Sequence, residues 1–177
     1  MNNSQTAVAD EVERASEREL VVNDFSVQVA TVNGSGSQSA NSVLMRSIFQ
    51  MGVPVSGKNL FPSNIAGLPT WFTIRASKFG YIARKAEIDF MLAMNPQTAR
   101  EDAMTVQKGG ALLAEESLGL KGVRDDVSYY GVPFSKLTGQ LTTDVRLRKL
   151  LANMIYVGVM AELLGVEFVE VEKAIRK

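Results

Sequence analysis

Early in the chain the hydrophobic pattern changes period, and the change falls on a run of glycines and serines. From Phe25 to Val32 the residues FSVQVATV are mostly apolar and partly β-branched, a short run that suits a sheet interior. Beyond the run of small residues, Val43, Leu44, Ile48 and Met51 recur at helical spacing, and Gly52 stands where a helix closes. Between strand and helix lies Asn33-Gly34-Ser35-Gly36-Ser37-Gln38-Ser39. Such a turn aims unpaired backbone N–H groups and the positive end of a helix dipole at one point, which favours an anion, typically a phosphate. A plainer reading stands beside it: Gly34 and Gly36 merely let a tight strand-to-helix turn form.

The remaining pattern alternates strands with helices. Gly52 to Thr70 carries three prolines, three glycines and two asparagines, so it reads as an irregular loop of the kind that serves function. Trp71 to Ala76 alternates as a strand, with Trp71, Thr73 and Arg75 on one face and Phe72, Ile74 and Ala76 on the other. Core packing is the expected role of Trp71. After a connector from Phe79 to Ala86, Ile88 to Met94 is continuously apolar and fits a buried parallel strand. Asn95-Pro96 opens a helix with Gln97 to Lys108 as its body and Gly109-Gly110 as its cap. Ala111–Ala114 and Val127–Val132 read as strands around a charged loop from Glu115 to Asp126. Thr142 or Thr143 with Asp144 caps a long helix that stops at Gly165 and, being nearly all apolar from Leu150 onward, is buried either in this domain or against a partner. Phe168 to Arg176 forms a last short helix. The fold class that follows is α/β: a single three-layer, Rossmann-like domain with a mainly parallel sheet, preceded over residues 1–23 by a flexible acidic lead.

Charge sharpens the anion reading. Asp24 and Glu87 bound an interval without a single carboxylate, while Arg46, Lys58, Arg75, Lys78, Arg84 and Lys85 fall inside it. The whole chain is neutral, with 19 basic and 19 acidic residues, so the separation is local and suits an anionic ligand or partner. It argues against plain NAD binding, which needs G-x-G-x-x-G and an acidic residue about 20 positions on. Here Ser39 replaces the third glycine and the acid is missing. With no cysteine and no histidine, a triad hydrolase, a zinc enzyme and an iron–sulfur site on this chain are all disfavoured. The 177 residues suffice for one well-cored domain; Leu150–Leu164 is short for a membrane span, and a cytoplasmic protein without nucleic-acid or membrane partners is expected. The eight methionines read as core and interface filler.

Five stretches taken in order, NGSGSQSAN (33–41), NIAGLPTWFTIRAS (64–77), DFMLAMNPQT (89–98), KGGALL (108–113) and LANMIYVGVMAELLG (151–165), resemble one family. It is the gamma domain of the 2-oxoacid:ferredoxin oxidoreductases, and the likeness is strongest to the N-terminal region of the 2-oxoglutarate enzyme's alpha subunit. The resemblance spans nearly all of residues 24–177. It implies oxidative decarboxylation of a 2-oxo acid, 2-oxoglutarate in particular, to an acyl-coenzyme A. Thiamine diphosphate, Mg and the iron–sulfur cluster would sit on partner alpha and beta domains or subunits, with electrons passing to ferredoxin. The gamma domain would hold none of these and help bind coenzyme A. Carried over by position, Gly34, Ser35, Gly36, Ser37, Gln38 and Ser39 match the family's glycine-rich turn, Asn41 a polar residue one helical step on, and Gly67 and Thr70 the small-residue loop. Ser37 and Ser39 depart from the commoner G-x-G-G-Q-G form and restrict backbone approach. Lys58 and Arg75 are candidate phosphate partners through charge-assisted contacts, although Arg75 also fits a surface position on its strand. Two other functions stay open at this point: a non-catalytic module for subunit assembly, and a free-standing nucleotide-binding protein.

Overall fold

The computed structural model describes residues 23–62 and 65–176, so the acidic lead expected over residues 1–23 lies, Asn23 apart, outside the described residues. The chain runs β1 (Asp24–Val32), α1 (Ser37–Gln50), β2 (Val55–Leu60), β3 (Pro69–Ser77), β4 (Ile88–Ala93), α2 (Ala99–Thr105) and β5 (Val106–Glu115). A 3-10 turn (Glu116–Leu118) then leads to β6 (Ser128–Val132), α3 (Phe134–Leu141), α4 (Val145–Leu163) and α5 (Phe168–Ile175). The strands form one sheet in the order β2-β3-β1-β4-β5-β6. β1, β4, β5 and β6 pair in parallel, while β3 runs antiparallel to both β1 and β2 and is the single reversed strand.

Strand alternation divides the apolar residues between two cores. Val27 and Val29 of β1, Phe72 and Ile74 of β3, and Phe90 and Leu92 of β4 face α1, α4 and α5. Ala30, Met91, Ala93, Leu112 and Ala114 face the other way, toward α2 and the connectors. The stripe Ala40, Leu44 and Ile48 seats α1 on the first face; a fully buried Leu or Ile contributes roughly 1.5–3 kcal/mol. Helices thus cover both faces, and the expected three-layer α/β fold with a mainly parallel sheet is the one the chain adopts.

Four readings need correction. The segment from Gly52 to Thr70 is not wholly irregular, because Val55–Leu60 pairs with β3 as an edge strand. Its glycine misled: a Cβ on Gly57 would lie 2.5 Å from the Met45 sulfur and 2.8 Å from the Phe72 ring, so the strand needs glycine to approach α1. The helix expected over Gln97–Lys108 ends at Thr105, where Val106 turns extended and pairs with Ile88. Gly109 and Gly110 therefore belong to β5, in an irregular stretch where Gly109 takes φ +79° and donates to the Asp126 carbonyl. α3 was not anticipated. Finally, of the two places offered for burial of α4, this domain takes only one stripe, Asn153, Tyr156, Val157, Met160 and Ala161, while Leu147 and Leu150 are exposed on it.

Candidate functional site

The β1–α1 turn sits at the carboxyl end of β1. Gly34 and Gly36 have φ of +81° and +82°, the left-handed region that glycine enters without a Cβ penalty. Gly36 is also close-packed: a Cβ there would meet the Leu150 side chain at 2.8 Å. The turn is tied down on all sides. The Asn33 amide donates to the Leu68 carbonyl, Gly67 donates to the Asn33 carbonyl, and the Ser35 amide donates to Val32. The hydroxyls of Thr31 and Ser37 share a buried hydrogen bond of 2.8 Å. From α4, Asn153 donates to the Ser35 carbonyl at 2.8 Å, and the Tyr156 hydroxyl reaches both the Ser37 carbonyl and Asn41 Oδ1. Burial pushes the Tyr156 phenol pKa up, so it acts as a neutral donor.

These bonds fix the turn while leaving the helix end open. The first N–H groups of α1 have no intrahelical partner by geometry, and no side chain caps them. They face a cleft of about 380 Å³ lined by Gly34, Gly36, Ser37, Gln38, Ser39, Asn41, Asn59 and Thr70. Thr70 donates to Asn59 Oδ1 at 3.2 Å, closing the cleft wall between β2 and β3. A second cleft, of about 340 Å³, lies on the other side of Gly34 and is lined by Ser35, Gly67, Met94, Lys149 and Asn153 among others. It occupies the point where β1 sends its helix to one face of the sheet and β4 sends its helix to the other, the usual ligand crevice of open α/β sheets.

Most of the sequence-selected residues converge here, with Gly34, Gly36, Ser37, Gln38, Ser39, Asn41 and Thr70 on the first cleft and Ser35 and Gly67 on the second. Lys58 and Arg75 do not. Alternation along β2 turns Asn59 into the cleft and leaves Lys58 exposed, on the opposite face. Arg75 pairs across the sheet with Ser26, at the start of β1 and so far from the turn at its end. It is buried, forms an ion pair with Asp24, and donates to the carbonyls of Phe25 and Ala76. That guanidinium holds the Asp24 carboxyl below the usual carboxylate range. Sequence reasoning missed Asn59, Lys149, Asn153 and Tyr156. Only Asn153 left a signal, as a polar residue inside an apolar run.

Set against known proteins, residues 26–177 match the family model for pyruvate ferredoxin/flavodoxin oxidoreductase. The chain belongs to this family. A curated family relative, the alpha subunit of 2-oxoacid:ferredoxin oxidoreductase 2 from Aeropyrum pernix, is 26% identical over 103 residues, which is 58% of this chain and 16% of that one. Among solved structures, the 2-oxoglutarate:ferredoxin oxidoreductase of Magnetococcus marinus, solved with 2-oxoglutarate, coenzyme A and succinyl-CoA bound, superposes with TM-score 0.70 at 19% identity. That match covers 87% of this chain and 27% of the other. Pyruvate oxidoreductase subunit PORC from Thermotoga maritima gives TM-score 0.67 at 16% identity, covering 88% and 85% of the two chains. The gamma subunit of a keto/oxoacid ferredoxin oxidoreductase from Geobacter sulfurreducens gives 0.68 at 18%, covering 85% and 84%. At these identities the structures establish a shared fold, and the chain spans only a fraction of the first relatives' length. No helix among the described residues is long and apolar enough to cross a membrane.

Proposed function

We propose that this chain is the gamma component of a 2-oxoacid:ferredoxin oxidoreductase, with 2-oxoglutarate as the oxo acid, and that its β1–α1 turn helps hold coenzyme A. The observation that carries the reading is the uncapped α1 terminus facing a polar cleft whose walls are already braced by Asn153 and Tyr156. Backbone N–H groups and the helix dipole favour phosphate there without needing a side-chain cation. Gln38, Ser39 and Asn41 add hydrogen-bonding groups around the cleft, and Lys149 supplies a positive charge to the neighbouring one. Because the chain has no cysteine, thiolate ligands for an iron–sulfur cluster would come from partner chains. The same partners would carry thiamine diphosphate and its Mg, and electrons would leave to ferredoxin in the cytoplasm. The role of this chain is to position the acyl acceptor.

Calorimetric titration of coenzyme A into the full chain, alone and with its catalytic partners, tests the proposal. Ser39→Asp puts a carboxylate in the first helical turn, where it favours the helix by about 0.3–1 kcal/mol but repels a phosphate. The expected result is at least a tenfold weaker affinity in a protein that melts no lower than wild type. Unchanged affinity overturns the reading. An assembly role is favoured by a separate observation: Leu137, Leu141, Val145, Leu147 and Leu150 are exposed on α3 and the start of α4, beside the turn. If coenzyme A ignores the turn while the partner subunits still co-purify, assembly is the function that remains.

A further inference from the structure

Three cations of the acid-free interval stand on the connector between β3 and β4, which leaves the sheet beside the start of β1. That connector turns large apolar side chains to solvent: Phe79, Tyr81 and Ile82 are 64%, 65% and 74% exposed. The two rings lie 5.9 Å apart, and the Lys78 ammonium sits 5.1 Å from the centre of the Phe79 ring. The backbone beneath them is nonetheless pinned. Lys78 donates its N–H to the Asn23 carbonyl, Gly80 donates to Ser77, and the Ser56 hydroxyl donates to the Ile82 carbonyl at 2.9 Å. Single exposed hydrophobic residues are ordinary, but three within four positions on an anchored loop mark a surface that something covers.

Charge decides what kind of chain fits. Lys78, Arg84 and Lys85 flank the apolar trio, and the stretch from Lys78 to Ala86 has no acid. Of the carboxylates nearby, Asp24 is engaged by Arg75, and Asp89 accepts from the Ser26 amide and from Gln107, which leaves the exposed Glu87. The complement is an acidic segment with apolar residues, and this chain carries one. Residues 1–22 lie outside the described residues, and their sequence holds Asp10, Glu11, Glu13, Glu17 and Glu19 against Arg14 and Arg18. Val8, Val12 and Ala15 recur there at i, i+4 and i+7, with Glu11 and Glu19 on the same stripe, so the spacing predicts apolar and acidic groups on one side. The segment joins the fold at Asn23, the residue whose carbonyl Lys78 binds. At roughly 3.3–3.6 Å per residue, all of it can reach the connector. So short a tether holds it at an effective concentration on the order of millimolar, at which even a weak contact is populated. We infer that residues 8–20 dock on this connector, with the apolar stripe on Phe79, Tyr81 and Ile82 and the carboxylates toward Lys78, Arg84 and Lys85. The contact is separate from the turn and independent of the coenzyme A reading.

Because the chain has no cysteine, Ser16→Cys takes a single nitroxide label in the full chain. The label should broaden the amide NMR signals of Phe79, Tyr81 and Ile82 and spare those of Leu137 and Leu141 on α3. The broadening should be the same after dilution of the protein, as an intramolecular contact requires. Lys78→Glu together with Arg84→Glu should cut it at least threefold without lowering the melting temperature, and raised chloride should weaken it in the unreversed protein, since exposed charge pairs are screened by salt. Adding Glu11→Lys and Glu19→Lys to the reversed pair should restore it. Broadening that is absent, spread evenly over the surface or indifferent to the first reversal overturns the docking, as does failure of the second pair to restore it. Loss of broadening on dilution also overturns it and assigns the face to a second copy of the chain. Broadening that appears only after a partner chain is added does the same and assigns the face to that partner.

Discussion

The two faces of the sheet are braced to different degrees. On the face covered by α1 and α4, the turn is braced by partners from other elements, Thr31 with Ser37, Asn41 with Tyr156, and the Ser35 carbonyl with Asn153, while the buried Ser35 hydroxyl has no partner. On the other face, covered by the seven-residue α2 and by connectors, the Ser26 and Thr73 hydroxyls have none. Asp102, buried in α2, accepts from Trp71 and Thr98 yet has its carboxyl pKa raised, chiefly by loss of solvent. A long helix can reach into a turn with several side chains and brace it, while a short one offers fewer partners to the polar groups beneath it. The difference teaches where rigidity lies in this fold.

The comparison can be broken at its strongest point by Gly36→Val. The left-handed backbone and the contact with Leu150 both oppose any side chain there, so a loss of about 2–4 kcal/mol is expected from denaturant unfolding. Tyr156→Phe comes next. It strips the donor from two buried acceptors, with an expected cost of about 1–3 kcal/mol and a loosened turn visible in amide exchange of residues 35–41. If that variant is as stable as wild type, the first face is not held by its polar partners.

The smallest effect has the opposite sign. Because the folded-state pKa of Asp102 is raised, the native protein binds that proton more tightly than the unfolded chain does. Its contribution therefore favours folding at low pH and is lost as pH rises from the ordinary carboxylate value through the raised one. Asp102→Asn keeps an acceptor for Trp71 and removes the buried charge. Near neutral pH the variant should be slightly more stable than wild type, by less than either loss above. The advantage should shrink to nothing on acidification, read as the difference between the two unfolding curves across pH. A variant destabilised at every pH would show that the ionised carboxylate is a net support.

How much of this was legible beforehand follows from what kind of signal each part leaves. β1, the turn and α1 were readable because a period of two gives way to a period near four across a glycine-serine run. α4 was readable from its Asp144 cap and its Gly165 stop. Glycine was misread wherever packing, not chain reversal, required it, as at Gly57 and Gly110. Charge was misread because adjacency along the chain is not adjacency in space: the antiparallel β1–β3 ladder takes Arg75 to Asp24, at the far end of β1 from the turn. Asn59 and Lys149 reach the clefts, and Tyr156 the turn beneath them, only through topology, and no local pattern announces that.

The bonds from Asn153 and Tyr156 to the turn span 118 and 119 positions of sequence. On a ribosome, residues 33–39 emerge well before the side chains that hold their shape. Any nascent chain stopped short of α4 would carry the loop in an unset form, so the set shape of this bend reports that α4 has docked.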